Sequence, residues 1–485
     1  MIVMKFGGSS VASASAIEWV AGIVHHHLER RPVVVVSAMG KTTDRLQDVY
    51  QHACRGSSYS AWRGLEDLRQ FHLQETRRLL GPSAGALVQA KIEPLFRQVH
   101  GILIELEEGR KPTPACKDQV LSLGERLSSE IATAALRHNG IAATHVHAPD
   151  VIQTDSQFGH AAPRLWETYA ALRRTVAIRA RDSVVVMGGF IGAAPDGAVT
   201  TLGRGGSDLT ASVVGAGISA EEIQIWTDVD GMLSCDPRIL RGGYVLRSLG
   251  YEEAEEMAQL GAKVLYESTV APAVRQGIPI AIRNSRHPEI EGTIISASAV
   301  RKPGTVKSVA CLGGITIVHL DARDASGLAA ITDGLHDLLA RNGITVRFVQ
   351  SRGNGVSFAV SESPSLPEVL HGVDSKVQVR VEEGMAALSL VGDGITAGDA
   401  VAARAQQALK AGQIRMVAQG SSRLSISFIV PETALPEATE ALHREFFRAA
   451  DREIFGNTET RRPGIANPET AGILVQATPA LAKSQ

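Results

Sequence analysis

The chain has 485 residues, too many for one hydrophobic core, so about two to four domains are expected. It is 44% hydrophobic and 21% charged, as in an ordinary globular protein, and its net charge of −2 offers no basic surface for nucleic acid or an anionic membrane. Four scattered cysteines without a Cys-x-x-Cys pair argue against a disulfide framework or a zinc knuckle; with no bilayer-length apolar run and no signal-type N-terminus, a reducing cytoplasm is the expected location.

Residues 2–6 form a short apolar run of strand type, broken by Gly7-Gly8, and from Ala16 the apolar spacing turns helical. Strand, glycine turn and helix offer the backbone of Gly7 and Gly8 as a phosphate cradle, with Lys5 as a compact cation beside it. A P-loop differs, carrying its lysine after the glycines. The three histidines His25–His27 look metal-like, but successive helical positions point about 100° apart, so a solvated surface is expected. Residues 32–36 read as a central strand covered on both faces, with Thr42, Thr43 and Asp44 beyond its carboxyl end, where ligands gather in open α/β sheets. Residues 60–110 look helical, and 120–129 begin another helix carrying Glu125, a position that is ordinarily solvated.

Further strands run into Gly188-Gly189 and Asp228, and residues 278–282 end in Arg283-Asn284-Ser285. Alternating strands and helices of this kind predict a doubly wound, mostly parallel sheet. The stretch Thr200-Thr-Leu-Gly-Arg-Gly-Gly-Ser-Asp208 precedes a helix of small apolar residues. A glycine-rich turn opening a helix presents free N–H groups, Ser207 or Asp208 suits the N-cap, and Arg204 lies where its fork can clamp an anion. The acidic run Glu252, Glu253, Glu255 and Glu256 reads as an exposed helix face.

The texture changes near residues 297–308. Beyond it lies an imperfect duplication: strand 315–320, helix 328–341 and strands 344–350 and 356–360, then strand 386–391, helix 400–411 and strands 414–418 and 424–430. Gly343 and Gly412, like Gln350 and Gln419, recur at one offset. Two copies make a pair of small domains, since a solenoid needs at least ~3 repeats. The expected domains are 1–300, 309–383 and 384–455, with 456–485 a Pro/Thr/Ala-rich tail expected to be disordered.

Lys5-Phe-Gly-Gly-Ser-Ser10, Thr201-Leu-Gly-Arg-Gly-Gly-Ser-Asp208, Trp226-Thr-Asp-Val229, Asp236-Pro-Arg238 and Gly261-Ala-Lys-Val264 resemble, in this order, the motifs of the aspartokinases within the amino-acid kinase family. The duplication resembles a pair of ACT modules of ferredoxin-like α+β fold, and the lack of a following dehydrogenase resembles the monofunctional branch. The resemblance implies phosphoryl transfer from MgATP to the side-chain carboxylate of L-aspartate. It implies that Lys5, Gly8 and Asp208 act at the transferring phosphate, and that Mg²⁺ is held mainly by the nucleotide phosphates rather than by protein ligands. Thr43, Glu125, Arg204 and Ser207 would bind aspartate. Lys5, Phe6, Gly7, Gly8, Thr227, Asp228, Leu233, Arg238, Lys263 and Val264 would bind the nucleotide.

The chain departs from that pattern at Tyr266-Glu267, where relatives usually show His-Pro, and at Leu233, where they often place a tyrosine. An amino-acid effector at the ACT modules and a homodimer or homotetramer are further implications. Arg347 and Arg352 lie on the strand matching the effector site and would repel lysine, so a weak lysine response or another ligand is expected. Two alternatives stay open at this stage: a kinase for glutamate or an N-acylated amino acid, and a catalytically dead ACT sensor.

Overall fold

The computed structural model describes residues 1–262, 267–322, 328–371, 377–409, 412–419 and 422–456. They fall into two compact units, Met1–Gly231 with Glu267–Ala297, and the described parts of Met232–Tyr266 and Ser298–Glu459. Residues 232–262, which the sequence places inside a 1–300 domain, thus cluster with the C-terminal half. The expected tail from 457 onward lies outside the described residues.

In chain order the first elements are β1 (Ile2–Phe6), α1 (Ala14–His25), β2 (Pro32–Val36), α2 (Thr42–Cys54), α3 (Ser58–Glu107), α4 (Pro114–Leu121), α5 (Leu123–His138) and β3 (Ala143–Val146). After them come α6 (Leu165–Arg179), β4 (Val184–Gly188), β5 (Ile191–Ala193), β6 (Val199–Thr201), α7 (Gly206–Ile218) and β7 (Glu222–Thr227). The segment that follows carries β8 (Ser248–Leu249), α8 (Tyr251–Gln259), α9 (Glu267–Arg275), β9 (Ile280–Asn284) and β10 (Thr293–Ile295).

The first unit is built on a sheet in the order β3-β4-β2-β1-β7-β9-β10, parallel except where β10 runs against β9. Its central strand is β1, whose five residues are all buried, so an unbroken apolar run is what both covered faces demand. Lys5 stands in register with Val35 and Ile225, near the carboxyl ends of three adjacent strands. Helix α7 packs tightly because its glycines face neighbours: a Cβ on Gly215 would lie 2.5 Å from Ile223 and one on Gly217 2.5 Å from Leu172. The long helical stretch α3 breaks at Gly81 (φ 74), directly before Pro82. The histidine run is only partly solvated. His25 and His26 are exposed, but His27 sets its ring edge-on to Trp226 at 5.9 Å, and burial lowers its pKa.

The second unit contains β11 (Ser308–Ala322), α10 (Leu328–Arg341), β12 (Val346–Arg352), β13 (Gly355–Ser361), α11 (Leu366–His371), β14 (Val377–Val391), α12 (Ala400–Ala408), β15 (Met416–Gln419), β16 (Ser425–Pro431) and α13 (Leu435–Phe447). One six-stranded sheet, β12-β13-β11-β14-β16-β15, carries both sequence copies. Strands β11 and β14 pair antiparallel along their length, Ser308 opposite Val391 and Ala322 opposite Val377, so each serves both modules. The expected boundary at 383/384 runs through β14.

The acidic face of α8 corrects the sequence expectation. Glu252 and Glu255 are exposed, yet Glu253 is buried and pairs with Lys307 at 2.7 Å, while Glu256 accepts hydrogen bonds from Ser422 and Ser425. The partners lie far along the chain, so local charge density does not reveal them. Lys307, with no exposed surface, also donates to Val300 O at 3.2 Å. Removing one member of a buried pair strands the other charge, so Lys307→Met is expected to cost ~3–5 kcal/mol in urea unfolding of this unit, and Lys307→Met/Glu253→Leu to regain most of it. A single-variant loss below ~1 kcal/mol would show that the pair is not held as described.

Candidate active site

Lys5 and Asp208 meet. The Lys5 ammonium lies 2.7 Å from Asp208 Oδ1, and the two side chains are only 11% and 14% exposed. Two glycine turns make this possible. After β1 the Gly7 N–H donates to Trp226 O at 3.1 Å, which keeps the turn against the end of β7. A Cβ on Gly8 would come within 3.0 Å of both Ala38 O and Gly40 O, and Gly40 N–H donates to Gly8 O at 3.0 Å. The turns after β1 and β2 therefore interlock at backbone distance, which a side chain at residue 8 would prevent. Phe6 closes β1 beneath them, stacked on Trp226 with ring centroids 5.9 Å apart.

The second turn opens α7. Its N-cap is Gly205, in the left-handed region at φ 71, rather than Ser207 or Asp208 as the sequence suggests. Glycine there starts the helix early and moves Ser207 and Asp208 into its first turn, where a carboxylate is favoured by the helix dipole. Arg204 lies in the turn itself and is exposed.

Glu125 on α5 is 3% exposed, a buried acid where a helical glutamate is ordinarily solvated. Its Oε1 accepts from Ala38 N–H at 3.2 Å, and its Oε2 has no partner among the described residues. Burial pushes its carboxyl up to about 8, partly opposed by the Ala38 hydrogen bond. The glycine pair closing β4 brings α5 and α7 to one place. A Cβ on Gly188 would lie 3.0 Å from Glu125 O, and one on Gly189 would lie 2.7 Å from Ser207 Cβ. Thr43, half-buried, sits in the first turn of α2, whose Thr42 hydroxyl donates to Met39 O at 2.6 Å.

At the end of β7, Thr227 is half-buried and Asp228 exposed, with the Thr227 hydroxyl donating to Asp228 at 3.3 Å. Leu233 and Arg238 belong to the second unit, where Leu233 bridges to Val245 and Arg238 pairs with Asp236 at 2.5 Å. Lys263 and Val264 lie outside the described residues.

One contributor carries no sequence signal. Asp118, fully buried on α4, accepts from Thr201 N–H at 2.7 Å, Thr201 Oγ1 at 2.8 Å and Gly159 N–H at 2.8 Å. It fixes the end of β6 just before the Arg204 turn. Burial raises its pKa against the pull of these three donors.

The amino acid kinase family profile matches residues 1–284, and an ACT domain profile matches residues 388–446. Chloroplastic aspartokinase 1 of Arabidopsis thaliana is 33% identical over 472 residues, covering 93% of this chain and 80% of that protein. The chain belongs to the aspartokinases of the amino acid kinase family. Lysine-sensitive aspartokinase 3 of Escherichia coli (strain K12) is 29% identical over 459 residues, covering 92% of this chain and 99% of that one. Two solved structures of E. coli aspartokinase III, one with aspartate and ADP (R-state) and one with lysine and aspartate (T-state), each superpose with a TM-score of 0.77 at 27% identity. Each covers 92% of this chain and is itself fully covered.

The buried acid gives a test with a definite sign. Between the ordinary carboxyl range and about 8, the folded aspartokinase holds a proton on Glu125 that the unfolded chain has released, so stability falls as pH rises through that window. Glu125→Gln is expected to raise Tm relative to the unsubstituted chain at a pH of about 8, with the gap shrinking toward a pH of about 5. A gap independent of pH, measured by calorimetry, would contradict the assigned protonation.

Proposed function

We propose that this aspartokinase transfers the γ-phosphoryl group of MgATP to the side-chain carboxylate of L-aspartate. A lone oxygen of the substrate carboxylate attacks phosphorus, the bond to the β,γ-bridging oxygen breaks, and 4-phospho-L-aspartate and ADP leave. The nucleophile is already ionised at neutral pH, so no general base is required. What the protein must supply is charge neutralisation where two anions meet, and alignment of the reacting atoms.

The observation that carries this reading is the buried Glu125 Oε2, unpaired among the described residues, in the same unit as the Lys5–Asp208 pair. A buried carboxyl oxygen without a partner is costly to keep, and a substrate ammonium group supplies a donor and the opposite charge that favours the ionised form. That favours a free amino acid over an N-acylated one. In this reading Lys5 and the backbone of Gly7 and Gly8 stabilise the transferring phosphoryl group, and Asp208 holds the Lys5 ammonium in place for it. Arg204 takes the substrate α-carboxylate, and Thr43 and Ser207 add hydrogen bonds. Mg²⁺ travels with the nucleotide phosphates and offsets their charge. The nucleotide roles of Thr227, Asp228, Leu233, Arg238, Lys263 and Val264 follow the family motifs.

Hydroxylamine trapping of the acyl phosphate tests the reaction. Aspartate is expected to give hydroxamate and ADP, and glutamate and N-acetylglutamate to give neither; product with N-acetylglutamate alone would overturn the assignment. Lys5→Ala is expected to lower turnover by ~10²–10³, as for loss of one preorganised transition-state stabiliser.

The second unit supports feedback by an amino acid, and the lysine-bound E. coli relative makes lysine the first effector to assay. Arg347 is exposed on β12 and donates to Ser361 at 3.3 Å; the side chain of Arg352 lies outside the described residues. Arg347→Ala is expected to strengthen inhibition by lysine in a kinase assay, and an unchanged or weaker response would remove Arg347 from the effector site.

A further inference from the structure

A buried hydroxyl relay joins the glycine turn after β1 to the end of β7. Ser10 Oγ lies 2.7 Å from Ser285 Oγ, and Ser285 Oγ donates to Thr227 O at 3.0 Å. The Ser285 N–H donates to the same carbonyl at 2.8 Å, and the Trp19 indole N–H donates to Ser285 O at 2.6 Å. Ser10 and Ser285 are 5% and 4% exposed.

A hydroxyl has one proton to give. Since Ser285 gives its proton to Thr227 O, Ser10 must be the donor to Ser285, and the relay has a single direction. The neighbouring residue acts in parallel. Asn284, also 4% exposed, donates to Asp230 Oδ1 at 2.6 Å and accepts from Arg286 N–H at 2.8 Å. The carboxyl end of β9 thus grips both Thr227 and Asp230, on either side of Asp228, while holding the Gly7–Ser10 turn through one hydroxyl.

We propose that Ser285 is a positioning residue for phosphoryl transfer, setting the spacing between the phosphate cradle at Gly7–Ser10 and the nucleotide strand end at Thr227–Asp230. This rests on the kinase reading above. The two segments lie more than two hundred residues apart, and the parallel pairing of β1 with β7 ends at Phe6–Trp226; beyond it, among the described residues, the Gly7 N–H to Trp226 O bond ties the turn one residue short of Thr227. Without the relay, Ser10 keeps a buried donor with nothing to receive it, and the turn can shift relative to β7. A shift of this kind weakens nucleotide alignment while leaving the aspartate side, anchored through Glu125 and α7, in place.

The test pairs steady-state kinetics with equilibrium binding of the magnesium complex of a β,γ-imido ATP analogue, using the full chain. Ser285→Ala is expected to raise the KM for ATP and the Kd of the analogue by about five- to twentyfold and to lower kcat by about tenfold, with the aspartate KM within twofold. Ser285→Thr, which keeps the hydroxyl, is expected to recover most of the loss. Ser10→Ala combined with Ser285→Ala is expected to behave like Ser285→Ala alone, since the two act as one unit.

The proposal is overturned if Ser285→Ala leaves analogue binding and the ATP KM within twofold of the parent. It is also overturned if both KM values rise together with a lowered Tm, the mark of general loosening. Failure of the kinase reading looks different: the unsubstituted chain then forms no ADP with aspartate, and the analogue Kd alone decides whether Ser285 sets the nucleotide site.

Discussion

In the reaction proposed above, the first unit's chemistry depends on the ion pair between Lys5 and Asp208. A largely desolvated ammonium and carboxylate 2.7 Å apart contribute little net stability, because the cost of removing both from water offsets most of their attraction. What the pair does is hold a cation at a defined point. Lys5 comes from the middle strand of a parallel sheet and Asp208 from the first turn of α7, so their meeting requires both elements to end at one place. The glycines at 8, 188 and 189, where a Cβ would crowd neighbouring atoms, and at 205, where the turn is left-handed, follow from that demand. An anion entering there finds the cation already in place and shares it with Asp208.

A second buried polar group of this unit works the opposite way. Glu125 is buried with one oxygen unpaired among the described residues, and its environment favours the neutral form. A cationic ligand arriving there favours the ionised form and supplies a partner for that oxygen. Placing a paired cation and an unpaired acid in one unit suits a zwitterionic substrate approached by a polyanion, and it separates substrate selection from charge neutralisation.

Much of this was legible in the residues. Unbroken apolar runs at 2–6 and 32–36 announce buried parallel strands, and the glycine-arginine turn announces the start of α7, because period and turn chemistry are local properties. The exact cap was not, since Gly205 rather than Ser207 or Asp208 takes the N-cap, a choice that the packing of Gly206 against Phe190 decides. Nor were Asp118, Glu253 and Ser285 readable. Their partners lie 83, 54 and 275 residues away, and an isolated acid or serine looks solvated until the fold buries it. The shared sheet of the second unit also escaped the duplication pattern, because repeats in sequence do not say which strands two copies hold in common.

The central claim is that Lys5 is held by Asp208 in wait for the transferring phosphoryl group. A crystal structure with aspartate and a magnesium-bound β,γ-imido ATP analogue tests it most directly. The account predicts the Lys5 ammonium between Asp208 and the terminal phosphate, with Glu125 against the aspartate ammonium. A terminal phosphate bound with Lys5 still paired only to Asp208, or aspartate seated away from Glu125, would contradict it.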